Sequence, residues 1–230
     1  MTESKQEMPT GEGDGHERGA DIVRFDVVLR AMGERVVVDH GYALFGAIAR
    51  ATGDDLHGAW WLAVAGLRGV SRSKGELGLS TPGSELRLRV TQDRVAWATQ
   101  LAGRELSVRG DLVRLGVSQT FTLRPSRTLR ARVVTTKVHG DVRDAEVFRK
   151  ALTERVRELG VRLAEPGVRG ARLELGERRV VRVSEELVVG YQVTLYDLSD
   201  ADSLKVLYAG VGGRRRFGCG VFMAPASEGF

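Results

Sequence analysis

At 230 residues with 42% hydrophobic content, the chain is long enough for one large domain or two of roughly 100 residues each. Its one cysteine, Cys219, excludes an intramolecular disulfide and a multi-cysteine zinc site and implies a reducing compartment. No apolar run approaches the ~20 residues a membrane span needs, and the acidic, glycine-rich start is unlike a signal peptide, so a cytoplasmic protein with no membrane partner is expected. The net charge is +5, yet Glu3, Glu7, Glu12, Asp14 and Glu17 against Lys5 and Arg18 give residues 1–20 a charge of −3 and leave +8 on the rest. Of the 35 basic residues 30 are arginine, a bias that suits phosphate recognition and that a GC-rich genome also produces.

Residues 1–21 are polar and aperiodic and are expected to form a disordered tail. Alternation from Val23 to Leu29 predicts a strand. Asp39 then stands as N-cap of a helix running through Tyr42, Leu44, Phe45 and Ile48 to Arg50, which Thr52-Gly-Asp-Asp ends. Trp60–Val70 and Glu85–Val90 read as strands of a hairpin joined by Gly- and Ser-rich turns over 71–84; Thr91–Leu101 reads as a second helix and Glu105–Leu115 as a closing strand pair.

A second round follows. Leu123–Lys137 reads as a strand, and Asp141–Leu159 as an amphipathic helix with Val147, Leu152, Val156 and Leu159 on one face. Ala171–Val183 and Glu186–Leu195 read as strands, Ser199–Tyr208 as a capped helix, and the chain closes on Gly220-Val-Phe-Met223. Each half thus has the order β-α-β-β-α-β. The expected fold class is α+β, two tandem ferredoxin-like domains over 22–118 and 119–224, with the junction near Gly116–Thr122 and a tail over 225–230.

Two segments point to a polyanion. Gly210-Val-Gly-Gly-Arg-Arg-Arg-Phe-Gly-Cys-Gly220 combines five glycines, which allow close backbone approach, with three arginine forks that match phosphate oxygens. No Gly-Lys-Ser/Thr follows, and the segment closes the chain instead of opening a βαβ unit, so a nucleotide-binding enzyme is the weaker reading. Residues 124–137 carry Arg124, Arg127, Arg130, Arg132 and Lys137 and no acid, and a strand would project Arg130 and Arg132 from one face.

With Val38-Asp-His-Gly-Tyr-Ala-Leu-Phe-Gly-Ala-Ile48, Asp55-Leu-His57 and the Gly210–Gly220 loop, the chain resembles a known family over most of residues 22–224. It is similar to the CRISPR-associated endoribonucleases that cut the precursor of CRISPR guide RNA, the sixth Cas family of the RAMP superfamily, and in particular their MYXAN-subtype branch. The resemblance implies metal-independent, cofactor-free cleavage: the ribose 2′-hydroxyl attacks the adjacent phosphate and leaves a 2′,3′-cyclic phosphate and a 5′-hydroxyl. The implied partners are precursor and mature CRISPR RNA, together with other Cas proteins of an interference complex.

Such chemistry needs a base, an acid and nearby cations, and histidine titrates near neutrality. The chain has His16, His40, His57 and His139. The resemblance places a catalytic histidine just after the first helix in a Leu-His context, which makes His57 the first choice. His40 is the rival, with a structural cap role as its alternative; His139, beside Lys137, reads as an RNA or solvent contact. The chain departs from the family's His-Tyr-Lys arrangement, since Ala49 stands where a tyrosine would pair and Tyr42 is the nearby tyrosine. Lys74, flanked by Arg68 and Arg72, could supply positive charge, a solvated basic loop being the alternative. Arg68, Arg72, Arg127, Arg130, Arg132 and Lys137, with Gly212, Gly213, Arg214, Arg215 and Arg216, are the expected RNA contacts, through phosphate and shape more than stacking. A non-catalytic RNA-binding subunit of an interference complex is the alternative function.

Overall fold

The computed structural model describes residues 23–73, 75–165 and 168–225. The expected N-terminal tail with His16, the candidate Lys74 and residues 226–230 lie outside the described residues. The fold is mixed α+β. Strand β1 (Arg24–Val37) alternates so that Val27, Leu29 and Ala31 are fully buried on one face. Helix α1 (Gly41–Thr52) lays Leu44, Phe45, Ala47 and Ile48 in the same core. Then come β2 (Leu62–Arg68), β3 (Val70–Ser73), β4 (Glu76–Leu79) and β5 (Glu85–Thr91). A 3-10 turn at Gln92–Arg94 leads into α2 (Val95–Thr99), followed by β6 (Glu105–Val108) and β7 (Asp111–Thr122). Strands β2, β5, β1 and β7 lie side by side in that order, all antiparallel. The far end of β1, Gly33–Val37, pairs with β4, which carries β3, while β6 pairs with the start of β7.

The second half comprises β8 (Leu129–Val134), α3 (Ala145–Glu158), β9 (Arg172–Val183), β10 (Glu186–Tyr196) and α4 (Asp200–Ala209), then a 3-10 turn at Arg215–Phe217. Its sheet has the antiparallel order β8-β10-β9. On the free side of β8 the chain end contributes a single bridge, Arg130 to Met223, with amides and carbonyls exchanged at 2.8 and 3.0 Å. Helix α3 begins where the Asp144 carboxylate accepts from the amides of Glu146 and Val147, and α4 where Ser199 Oγ accepts from Asp202. Phe148, Leu152 and Val156 of α3 and Val206 and Leu207 of α4 share a core with Leu129, Ala131, Val193 and Leu195 of the sheet.

Several boundaries differ from the sequence reading. Trp60–Val70 is not one strand: β2 starts at Leu62 and ends at Arg68, and the segment expected as turns over 71–84 contains β4 and most of β3. The second helix shrinks to a 3-10 turn and five residues. Strand β7 runs through Thr122, past the expected boundary at 118. The basic strand is only Leu129–Val134, because Pro125 has no amide to donate and Ser126 bonds to Ser203 and Thr128 instead of a strand. The expected fourth strand of the second half is reduced to its one bridge.

The two halves meet across the sheet face of β1 and β5 that turns away from α1. There Arg89 clasps Asp26 through both carboxylate oxygens, at 2.7 and 3.1 Å, and both residues are buried. The same guanidinium donates to the carbonyl oxygens of Leu207 and Phe222 at 2.9 Å each, so a charge held by the first sheet fixes the chain path of the second half.

Candidate functional site

The loop after α1 is fastened at successive residues. Trp97 Nε1 donates to Asp54 at 2.6 Å, the Asp55 carboxylate accepts the His57 amide at 2.9 Å, and the Leu56 side chain is buried in the core. The Leu56 carbonyl accepts from Arg216 Nη1 at 2.9 Å. The backbone under His57 is therefore held from both sides while the side chain is exposed, its ring meeting Phe45 edge-on with centroids 6.3 Å apart. An imidazole on such a loop can exchange a proton with a ligand without the loop first ordering.

The C-terminal turn completes the arrangement. Phe217 packs edge-to-face on Phe45 and on Tyr42, at 5.1 and 5.4 Å between centroids, and the Arg216 guanidinium lies 5.7 Å from the Phe45 ring centre. The structure thus joins His57, Tyr42 and Arg216 through Phe45 and Phe217, with Tyr42 itself 41% exposed. Sequence reasoning missed Phe45 and Phe217 as the link, and Asp54 with Trp97 as the loop's anchor. The Asp55-Leu-His57 spacing, which matches an Asx turn, was the available signal.

His40, the second acid–base candidate, lies inside the fold, in line with its structural alternative. It is 2% exposed, its Nδ1 donates to the Val37 carbonyl at 2.7 Å, and its Nε2 accepts the Leu67 amide at 3.0 Å. Both nitrogens are taken up by backbone, which fixes the neutral tautomer. Asp39 does not cap the helix; its carboxylate accepts the Arg182 amide at 2.9 Å. Burial pushes the His40 pKa down to about 4. A folded pKa below the unfolded value of 6.5 means that the unfolded chain binds the proton first as the pH falls. The contribution, about 3 kcal/mol, is complete above pH ~6.5 and is lost toward pH 4. Urea unfolding at pH 7 and pH 5 should show about 2 kcal/mol of this loss in the wild type, and His40→Gln should lack that component.

The glycines of the 210–220 loop also have a packing role. A Cβ on Gly212 would sit 2.3 Å from the Thr135 carbonyl oxygen, and one on Gly220 2.2 Å from that of Val211; both residues have positive φ. The loop is glycine-rich because its backbone lies directly on β8 and on itself. Gly213 is exposed, with its amide donating to Thr135. Cys219 is fully buried against Val133 and Val181, and burial raises its thiol pKa to about 11, which makes it an unreactive packing group.

The remaining basic candidates divide. Arg215 donates to the Ala209 carbonyl and Arg132 to that of Val38 at 3.2 Å, while Arg214 takes a left-handed conformation at the turn's start. Arg130 is exposed beside Thr194, Arg127 lies 3.9 Å from Asp197, and Lys137 and His139 are exposed. Arg68, at the end of β2, pairs with Glu85 of β5 at 3.5 Å, and Arg72 of β3 lies along Gly78 of β4.

Among the described residues no helix is long and apolar enough to cross a membrane. The family model described as Cas6 Crispr matches residues 25–227. A protein of Myxococcus xanthus (strain DK1622), the CRISPR-associated endonuclease Cas6, is 35% identical over 204 residues, covering 89% of this chain and 83% of that protein. Among solved structures, a CRISPR associated protein Cas6 superposes with a TM-score of 0.60 at 12% identity, covering 89% of this chain and 99% of that one. Thermus thermophilus Cse3, bound to an RNA representing a pre-cleavage complex, gives 0.52 at 17% identity, covering 88% of this chain and 100% of that one. At these identities the structural likeness is one of fold.

Proposed function

The chain belongs to the Cas6 CRISPR family, and from that premise we propose that it is a metal-independent endoribonuclease that cuts precursor CRISPR RNA within its repeats. The 2′-hydroxyl attacks the neighbouring phosphate, leaving a 2′,3′-cyclic phosphate and a 5′-hydroxyl. In this reading His57 is the general acid or base, Tyr42 a neighbouring hydroxyl, and Lys74 with the loop arginines the source of positive charge. The observation that carries the assignment is the His57 loop: its backbone is fixed by Asp55 and Arg216, and its imidazole is left exposed beside the Phe45–Phe217 pair.

The scaffold for this activity is a pair of tandem ferredoxin-like domains. Supporting that reading, the strand order β2-β5-β1-β7 of the first half has the same form as β9-β10-β8 plus the Met223 bridge of the second, each with one helix after its first strand and one after its third. The junction then falls after Thr122. Exposed Arg127, Arg130 and Lys137 are the phosphate contacts of the second domain in this proposal.

Incubation of purified protein with repeat RNA in EDTA tests the chemistry. Cutting is expected, with 3′ ends that resist phosphatase until acid opens the cyclic phosphate. A single 2′-deoxynucleotide at the cleavage site should abolish cutting and leave binding intact. Tight binding without cleavage of the all-ribose repeat would instead identify a non-catalytic RNA-binding subunit.

A further inference from the structure

Arg215 and Arg216 are neighbours on one 3-10 turn and face different parts of the molecule. Arg216 reaches Leu56 beside His57, whereas Arg215 reaches the Ala209 carbonyl at the seam between the halves. On the Arg215 side lies a shallow pocket, open to solvent, lined by Arg24, Trp60, Arg89, Tyr208, Gly210 and Arg215 among others, and no carboxylate is among the lining residues. Arg89 has its counter-charge in Asp26. Arg24 has none among the described residues: it is 4% exposed, it donates to the carbonyls of Trp61 and Trp60 at 3.0 and 3.1 Å, and its Nε has no partner there. Two guanidinium groups thus share a pocket with only carbonyl oxygens to meet them. Burial, then Arg215 and Arg89, lowers the Arg24 pKa to about 10, as expected of cations short of an anion.

The second observation is independent of charge. Trp60, at the same pocket, is 53% exposed, whereas its neighbour Trp61 is packed against Trp97 and covered by Arg94. An aromatic face open to solvent beside a cationic pocket matches the two halves of a nucleotide, a π-face and a phosphate. We propose that this surface is a subsite for one nucleotide of single-stranded RNA, its base stacked on Trp60 and its phosphate at the pocket mouth beside Arg215, with the buried charge of Arg24 behind it. The proposal rests on the RNA-processing reading and adds to it a second contact point, on the far side of the turn from His57. It gives stacking a larger part than the sequence led one to expect.

The test is repeat-RNA affinity of Trp60→Ala, Trp60→Leu and Trp60→Phe, measured by filter binding at one salt concentration. Loss of one base stack corresponds to about 5- to 150-fold weaker binding. Alanine and leucine should both lose affinity in that range and phenylalanine should retain most of it. A merely structural tryptophan would be rescued by leucine, and leucine rescue therefore overturns the proposal. If all three variants bind RNA as the wild type does, while the Tm of RNA-free protein rises saturably with inorganic phosphate at fixed ionic strength, the pocket takes a free anion and the proposal is likewise overturned. Failure of the wild type itself to bind repeat RNA would be a failure of the RNA-processing reading, distinguishable because it precedes any Trp60 effect.

Discussion

His57→Ala is expected to lose at least about 100-fold in the single-turnover rate of repeat cleavage at saturating protein, since a positioned general acid or base contributes about 10²- to 10⁴-fold. Affinity for the repeat should be nearly unchanged, because most of it comes from the many phosphate contacts of the arginines. Folding should be unchanged as well: the ring is exposed, and the bonds that hold the loop come from the His57 amide and the Leu56 carbonyl, which alanine leaves in place. The comparison variant is His40→Gln, which should cleave at close to the wild-type rate wherever it remains folded. Near-wild-type cleavage by His57→Ala would remove His57 from the chemistry, and full activity in both variants would end the histidine mechanism.

Asp26→Ala should destabilise the protein by about 3–5 kcal/mol, the cost of leaving one member of a buried ion pair without its partner. Asp26 and Arg89 are each 3% exposed, so water cannot take the carboxylate's place without opening the seam. The double variant Asp26→Ala with Arg89→Met should recover part of the loss, because it removes the stranded charge, though the carbonyls of Leu207 and Phe222 then lose their donor. Urea unfolding gives both quantities. A change of under about 0.5 kcal/mol in the single variant, typical of surface sites, would show that the pair does not hold the halves together.

Elements with strong local signals were legible in the sequence. The Ser199 cap, the amphipathic face of α3 and the β9–β10 hairpin lie within a few residues of their expected positions, since each is specified by residues close in sequence. The β3–β4 hairpin was not. Val70-Ser-Arg-Ser and Glu-Leu-Gly-Leu have little alternation, and they are strands because the far end of β1 offers β4 a partner some forty residues away. His57 was singled out through a family-like motif, whereas the meaning of the arginines was not legible. Arg24, Arg89, Arg132, Arg215 and Arg216 all donate to backbone carbonyls, Arg216 across 160 residues, and no local pattern encodes such a partner. A composition read as a footprint of phosphate recognition is therefore partly internal scaffolding, and a fork with several donors fits that role better than an ammonium does.

The way Arg89 and Arg216 grip carbonyl oxygens has an evolutionary consequence. Every amino acid carries that oxygen, so the grip constrains where the chain runs at 56, 207 and 222 and is blind to which side chains stand there. Exposed residues beside these three buried positions can be exchanged one at a time, with the docking of the halves and the placement of His57 carried through each exchange.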